Sequence, residues 1–87
     1  MKIIPSKKFE KKVAKLSVPL KKALSIKLRI FAGDPFSAIL NNHPLQGSMR
    51  GYRSINITGD YRVIYEQYDL ETVRLVDVDT HHNLYGS

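Results

Sequence analysis

The stretch that decides the fold runs from Asp60 to Tyr85 and reads DYRVIYEQYDLETVRLVDVDTHHNLY. Residues 61–67 are rich in β-branched and aromatic side chains, which favour a strand. Residues 68–71 have the character of a turn, and residues 72–78 predict an antiparallel central strand buried on both faces. A small core needs these strands but has no need for the His81–His82 pair that follows them. Because histidine has the side-chain pKa nearest neutrality, the pair indicates proton transfer or anion binding.

The segments before this stretch predict a third strand and a helical hairpin. Alternating residues at Tyr52–Ile57 indicate a strand that a turn joins to residues 61–67. Ser6 and Pro19 are residue types that begin helices, and apolar residues recur after each at helical spacing. The other predicted elements are a strand at 1–5, helices at 7–16 and 19–33, a helical turn at 35–40 and a loop at 41–50.

These elements predict an α+β fold, with an N-terminal strand and an α-hairpin packed on one face of a small, mainly antiparallel sheet. The opposite face of the sheet is then free for a functional site. The 87 residues suffice for one compact core but not for two, so we expect a single domain, 1–87. The hydrophobic fraction of 43% argues against an intrinsically disordered chain.

The absence of cysteine excludes disulfides and thiolate metal sites. The first residues, MKIIPSKK, lack the apolar region of a secretory signal, and no apolar run reaches the length of a membrane span. We therefore expect a cytoplasmic protein that does not associate with membranes.

Positive charge is concentrated in the first third of the chain. Residues 1–30 contain ten Lys or Arg and one acid, a net charge of +9, whereas residues 31–87 contain four Arg and seven acids, a net of −3. A basic segment of this kind favours a polyanion or an acidic protein partner through long-range attraction. The alternative is that the lysines only keep two helices solvated, and charge alone does not decide between the two.

Arginine and tyrosine residues on the predicted strands suggest an RNA-binding surface. Arg62 lies in the middle of a strand, where a charge is costly unless it faces a wet cleft, a partner or a cross-strand acid. A guanidinium group matches two phosphate oxygens, and Arg50 and Arg53 on the preceding segment are expected to converge with Arg62. Tyr61 and Tyr85 add aromatic faces on which unstacked bases can lie.

The two histidines after the last strand have two interpretations. If the tail is a helical turn, His81 and Tyr85 share a face and can form part of a site. The alternative is a surface pair near the end of the chain. A zinc site is not expected, since the chain has three histidines and no cysteine. No catalytic triad, P-loop or dinucleotide fingerprint is present, so the inventory of His, Asp, Arg and Tyr best suits metal-independent RNA transesterification without a cofactor.

Three segments of the chain resemble the RelE/ParE superfamily of toxins, and most closely its YafQ-like branch. HPLQG at 43–47 is similar to that family's His-x-Leu-x-Gly, and GYR at 51–53 through DYRVIY at 60–65 is similar to its central hairpin. THHNLY at 80–85 is similar to its terminal Thr-His-x-x-Leu-aromatic. The resemblance implies a microbial-RNase-like RelE fold and a ribosome-dependent endoribonuclease that cleaves mRNA. It also implies an acidic or wrapping antitoxin partner, in a complex for which a heterotetramer is one expected assembly.

The resemblance also assigns roles to individual residues. His43, Asp60 and His81 fall on catalytic positions, with His81 the general acid and Asp60 or His43 the base or a positioning group. Arg62 matches the strand arginine of RelE, which stabilises phosphate charge, and Tyr85 matches the terminal aromatic, so both join the catalytic set. Tyr61 takes the place of a tryptophan in that branch and is a candidate RNA-binding residue with Asn56 and His82. Arg50 and Arg53 are candidate RNA-binding residues from their position before the preceding strand, not from the resemblance.

Two departures leave alternatives open. Asn56 stands where the YafQ-like branch has another histidine, and an amide cannot shuttle a proton. His82 replaces His81 as the proton donor if the register of the tail shifts by one residue. A ParE-like inhibitor of DNA gyrase and a non-catalytic member that binds RNA or protein are the competing functions. The histidines and Asp60 favour the ribonuclease, because a pure binding surface needs no proton donor.

Overall fold

The computed structural model describes residues 1–85 as one five-stranded sheet with three helices. The elements are β1 (Lys2–Pro5), α1 (Lys7–Ala14), α2 (Val18–Gly33), β2 (His43–Pro44), β3 (Arg53–Thr58), β4 (Tyr61–Gln67), β5 (Thr72–Thr80) and α3 (His81–Tyr85). Single 3-10 turns at Ala38–Leu40 and Gly47–Met49 flank β2. The predicted α+β class is therefore confirmed.

Serine side chains begin both long helices. The Ser6 Oγ accepts a hydrogen bond from the Phe9 amide at 3.0 Å, and the Ser17 Oγ accepts one from the Leu20 amide at 3.4 Å. Pro19 lies in the first turn of α2, where its missing N–H costs nothing. The prediction of a Ser6 cap is confirmed, but α1 ends at Ala14 rather than Leu16.

The strand order is β1-β5-β4-β3-β2, with β1 parallel to β5 and the other pairs antiparallel. One prediction about the sheet is wrong: residues 41–50 are not all loop, since β2 pairs with the end of β3. β5 is an interior strand as predicted, because β1 pairs with its outer side, and β4 is the middle strand of the five. In addition, β5 continues two residues beyond its predicted end, to Thr80.

The main core lies between the sheet and helices α1 and α2. Phe31 of α2 and Tyr65 of β4 are 0% and 1% exposed, and their rings meet edge to face at 4.8 Å between centroids. Phe9 and Leu24 from the helices and Val63 from the sheet belong to the same buried cluster. We call this side of the sheet the helix-covered face.

The other side of the sheet, which we call the site face, carries polar residues. Directly opposite residues in an antiparallel pair share a face, so Asn56 of β3, Arg62 of β4 and Asp79 of β5 form one row across the sheet. His43 lies opposite Ser54, which lies opposite Ile64. The site face is less open than predicted, since Ser54 and Ile64 are fully buried.

Helix α1 lies alongside the second half of β5. β1 pairs with residues 72–75 of β5, after which the Ser6 amide and hydroxyl donate to the carbonyls of Leu75 and Val76 at 2.9 and 3.0 Å. These bonds take the place of strand pairing and position α1 next to the C-terminal end of the sheet. No helix within residues 1–85 is long and apolar enough to cross a bilayer.

Candidate active site

Asp60 and His81 meet at one end of the sheet. Tyr61 at the start of β4 is paired with Thr80 at the end of β5, so the residues just outside this pair are neighbours. The His81 amide donates a hydrogen bond to the Asp60 backbone oxygen at 2.8 Å. Both residues are exposed, which leaves the carboxylate and the imidazole accessible to a ligand.

Helix α3 holds the His81 and Tyr85 rings together. The Asn83 amide donates to the Thr80 Oγ1 at 3.2 Å, so Thr80 caps the start of the helix. His81 and Tyr85 are one turn apart, and their ring centroids lie 4.5 Å from each other in an edge-to-face arrangement. The prediction that these two residues share a helical face is confirmed. The Tyr85 hydroxyl is buried and has no hydrogen-bond partner within the described residues.

Arg62 forms hydrogen bonds with the β3–β4 turn. Its Nη1 donates to the Gly59 and Tyr61 carbonyls, both at 3.0 Å, which fixes the guanidinium at the end of the site face. A guanidinium has five N–H donors, so most of its donors remain for an anion. Within residues 1–85 Arg62 forms no ion pair, because Asp79 opposite it binds Lys12 instead. The Oδ1 of Asn56, on the other side of Arg62, is buried without a partner in this part of the chain.

His43 is held by two asparagines. Its Nδ1 lies 2.8 Å from the Asn41 carbonyl, and because a carbonyl only accepts, Nδ1 is the donor; in the neutral ring this tautomer leaves the lone pair on Nε2. The next residue, Asn42, donates to the Pro35 carbonyl at 2.8 Å and to the Tyr65 hydroxyl at 2.7 Å. These bonds anchor the backbone just before β2 to the helix-covered face. The neutral imidazole of His43 can therefore accept a proton at Nε2.

Comparison with known proteins places the chain in a family. Residues 1–86 match the family model described as the bacterial toxin of type II toxin-antitoxin system, YafQ. The chain belongs to the YafQ toxin family. The resemblance to the YafQ-like branch of the RelE/ParE superfamily is thereby confirmed.

Individual relatives agree with this membership. The chain is 38% identical over 52 residues to the mRNA interferase toxin YafQ of Escherichia coli K12, a match that covers 60% of the chain and 55% of that relative. The crystal structure of YafQ from E. coli BL21(DE3) is 28% identical, covers 97% of both chains and superposes with a TM-score of 0.77. In the E. coli DinJ–YafQ toxin–antitoxin complex, the matched chain is 32% identical, with 97% and 96% coverage and a TM-score of 0.68.

The structure of this YafQ family member does not bring the three predicted arginines together. Arg53 lies opposite the core residue Tyr65, on the helix-covered face, where its Nε donates to the Asn42 Oδ1 at 2.8 Å. Its guanidinium carbon is 5.3 Å from the centre of the Phe36 ring. Arg50 is exposed at the end of the Gly47–Met49 turn. The expected convergence is wrong for Arg53, since residues 53 and 56 of one strand point to opposite faces.

Tyr61 and His82 are also placed differently from the other predicted site residues. Tyr61 is half-buried against the main core and borders a cleft of about 290 Å³ that Lys12, Lys15 and Leu16 also line. Its ring is therefore available on the side of α1, not beside Arg62. His82 is exposed on α3, next to His81, and forms no hydrogen bond within the described residues.

Three polar residues near the site were not predicted from the sequence as site residues: Asp79, Thr80 and Ser54. Asp79 accepts hydrogen bonds from Asn83 and Lys12, at 2.9 and 3.0 Å. Burial alone would raise the pKa of the Asp79 carboxyl, but hydrogen bonds from Asn83, Lys12 and the Thr80 amide, with the charge of Lys12, hold it below its usual value. Ser54, opposite His43, is fully buried, and its Oγ has no partner among the described residues. The Asp-Thr pair ahead of His81 is a helix-start signal that identifies Asp79 and Thr80.

The described residues offer no evident metal site. Within residues 1–85, no three His, Cys, Asp or Glu side chains lie close enough together to hold a metal ion. The arrangement instead combines an imidazole that accepts a proton, an imidazole that can donate one, and an arginine between them on the sheet. Such a set can perform general acid–base chemistry at a phosphodiester.

Proposed function

We propose that this protein is a toxin of a type II toxin–antitoxin system and an endoribonuclease that cleaves mRNA on the ribosome. The observation that carries the proposal is the approach of Asp60 and His81 at one end of the site face, with the Tyr85 ring 4.5 Å from that of His81. Membership of the YafQ family and the name mRNA interferase toxin of its E. coli relative support the same activity.

The proposed reaction is attack of a ribose 2′-hydroxyl on the adjacent phosphate. The His43 Nε2 takes the hydroxyl proton, since its Nδ1 is committed to the Asn41 carbonyl. The free N–H groups of Arg62 stabilise the negative charge that builds up on the phosphate oxygens. His81 donates a proton to the leaving 5′-oxygen, and Asp60 fixes the backbone of His81 through its carbonyl. The products are a 2′,3′-cyclic phosphate and a free 5′-hydroxyl.

Two further side chains orient the RNA. The Tyr85 ring provides a stacking surface for a base beside the scissile phosphate. Asn56 lies opposite Arg62 in the same row of the site face, so it is a candidate for RNA contact beside the phosphate. An amide cannot shuttle a proton, so the proton transfers fall to the two histidines. His82 and Arg50 are exposed and available for contacts with the flanking RNA or ribosomal RNA.

The chemistry of the product ends tests the proposal. Purified protein is incubated with ribosomes that carry a defined mRNA, with and without EDTA. The ribosomal subunits are cross-linked beforehand, so that the chelator does not dissociate them. We expect cleavage to 2′,3′-cyclic phosphate and 5′-hydroxyl ends, unaffected by the chelator and absent on naked mRNA. Products with 5′-phosphate ends would refute the mechanism. Intact message together with trapped gyrase–DNA complexes would instead identify a gyrase inhibitor.

The partner we propose is an acidic antitoxin segment. Pro5, Phe9, Val13 and Ala14 line an apolar cleft of about 420 Å³ that Lys21 of α2 and Glu10 of α1 border. Lys7, Lys11 and the same Glu10 line an adjoining depression. An apolar floor whose rim holds more lysines than acids fits an amphipathic acidic helix or strand. The DinJ–YafQ complex shows that a relative assembles with an antitoxin.

Charge reversal tests the partner surface. We expect Lys11→Glu with Lys21→Glu to weaken binding of an acidic antitoxin, sought in the reading frames adjacent to this gene, most strongly at low salt. Lys2→Glu is the matched control, because Lys2 borders a different cleft with Asp69 and Glu71. Equal weakening by the control would contradict this surface. Light scattering of the purified complex reports whether it is a heterotetramer.

A further inference from the structure

Helix α3 is too short to hold its own conformation. It contains five residues, His81 to Tyr85, whereas isolated helices below about 12–15 residues are marginal in water. Its orientation must therefore come from contacts with the rest of the protein. Because α3 carries His81 and Tyr85, those contacts also decide where the two rings point.

Asp79 provides such a contact on both of its carboxylate oxygens. The Oδ1 accepts hydrogen bonds from the Thr80 amide at 2.8 Å and from the Asn83 Nδ2 at 2.9 Å. The Oδ2 accepts one from the Lys12 Nζ of α1 at 3.0 Å. One carboxylate thus joins the middle of α3 to a helix that is distant in sequence, and it is 24% exposed while it does so.

Lys12 is itself fixed on the other side. Its Nζ lies 2.8 Å from the Asp77 Oδ1, and the Asp77 Oδ2 lies 3.2 Å from the Nζ of Lys8. The Val78 amide donates to the Asp77 Oδ1 at 2.8 Å, which holds the Asp77 carboxylate against its own strand. The ammonium of Lys12 therefore has a defined position between two carboxylates, from which it can restrain Asp79.

We propose that Lys12, Asp79 and Asn83 form a tether that sets the orientation of α3, so that Asp79 and Asn83 are positioning residues for His81 and Tyr85. The tether itself is independent of the reaction, and only its effect on cleavage rests on the proposed function. Neither Asp79 nor Asn83 contacts the substrate in this assignment; both act through the imidazole and phenol rings of α3.

The position of the His81 ring tests the tether without any enzyme assay. The His81 and Tyr85 ring centroids lie 4.5 Å apart, so the ring current of Tyr85 shifts the carbon-bound protons of His81, and the His81 Hε1 resonance serves as the NMR probe of the contact. We expect Asn83→Ala, Asp79→Ala and Lys12→Ala to move this resonance toward that of a free histidine. Asp79→Asn keeps the oxygen that accepts from Asn83 and should move it less.

Lys8→Ala is the matched control, since it removes an α1 lysine and an ion pair to Asp77 without touching Asp79. It should leave the His81 resonance in place. Asn83 is exposed, and the melting temperature of Asn83→Ala measured by circular dichroism checks that this variant is folded. A folded Asn83→Ala and Lys12→Ala with the wild-type His81 resonance would overturn the tether.

Cleavage kinetics then separate this inference from the proposed function. We expect Asn83→Ala to lower kcat about 10-fold with little change in KM, because displaced reacting groups slow chemistry while the contacts that bind RNA remain. If the His81 resonance moves but kcat does not change, the tether stands and the role of His81 as proton donor is wrong. An unchanged resonance with a reduced kcat would contradict the tether, since Asn83 would then act by another route.

Discussion

The two faces of the sheet differ in whether their polar side chains have hydrogen-bond partners within the protein. On the helix-covered face, the Asn42 side chain satisfies Arg53, Tyr65 and the Pro35 carbonyl at once. On and near the site face, the Ser54 Oγ, the Asn56 Oδ1 and the Tyr85 hydroxyl are buried without a partner in the described chain. A buried polar atom left unpaired costs about 1–3 kcal/mol, so a fold retains several only where something else is gained.

This difference separates residues that stabilise the protein from residues that are arranged for a ligand. The helix-covered face contains the main apolar cluster and the hydrogen-bond network of Asn42, in which the donors and acceptors are paired with one another. The site face holds oriented donors and acceptors with unused capacity, including Arg62 and His43. We therefore expect substitutions on the first face to change stability, and substitutions on the second to change activity.

The largest expected effect is the loss of cleavage in His81→Ala. Removing a general acid lowers kcat by about 10²–10⁴-fold, and because the His81 ring is exposed, the melting temperature should barely change. His82→Ala is the matched control and should retain most of the activity. Ribosome-dependent cleavage of a defined mRNA is the measurement. A larger loss in His82→Ala would show that the neighbouring imidazole is the donor.

Phe31→Ala should give the largest loss of stability. This side chain is fully buried against Tyr65, and truncating a core phenylalanine costs about 3–5 kcal/mol. The exposed Phe36→Ala provides the control and should cost less than about 1 kcal/mol. Urea unfolding followed by circular dichroism gives both values. Comparable losses in the two variants would contradict the assignment of the core.

A pair of arginine substitutions sharpens the contrast between the faces. Arg53→Ala removes a partner of Asn42 and should destabilise the fold by about 1–2 kcal/mol, with RNA affinity unchanged. Arg62→Ala should leave unfolding nearly unchanged but weaken binding of a short RNA and reduce its salt dependence. Filter binding at several salt concentrations, beside urea titrations, measures both properties. The proposed division between faces fails if Arg53→Ala lowers RNA affinity as much as Arg62→Ala.

The smallest expected effect is the pH dependence of the Lys12–Asp79 pair. The folded pKa of Asp79 is lowered, so its contribution to stability is present above the unfolded pKa of about 3.9 and is lost as the pH falls through the folded value. For Lys12, burial opposes the charge, but hydrogen bonds and charges from Asp77 and Asp79 raise the pKa. Its contribution is present below about pH 10.4 and is lost as the pH rises through the folded value.

Asp79→Asn should therefore be less stable than wild type within that pH window and approach it below about pH 4. The difference should be about 0.5–1 kcal/mol after allowance for solvent screening of a partly exposed pair. Melting temperatures of the two proteins are compared from about pH 3, below the ordinary carboxyl pKa, to about pH 8, well above it. A difference that does not vary with pH would show that the ion pair contributes nothing.

Much of the fold is predictable because local signals agree with it. Ser6 is a cap followed by a helical apolar stripe, and the period of two in residues 52–57 and 61–67 marks two strands. The same alternation already places Arg53 with Ile55 and Ile57, on the buried side. The expectation that Arg53 joins Arg62 disregarded that pattern, so this error was avoidable from the sequence.

Other features depend on contacts that no local pattern encodes. The pairing of β4 with β5 shifts between Ile64 and Tyr65, and such an irregularity leaves no mark in composition. β2 is only two residues long and exists because the backbone at Asn42 is anchored to Pro35 and Tyr65. The Lys12–Asp79 contact joins residues 67 positions apart. The roles of His43, Asp60 and His81 came from resemblance to a family, and they remain predictions.

The residues that meet at α3 are synthesised at different times during translation. Lys12 and Asp79 are 67 positions apart, and synthesis at about 5–20 residues per second separates them by roughly 3–13 s. Throughout that interval the nascent polypeptide contains Lys12 but lacks His81, the proposed proton donor. The proposed cleavage activity therefore cannot arise before β5 and α3 have been synthesised.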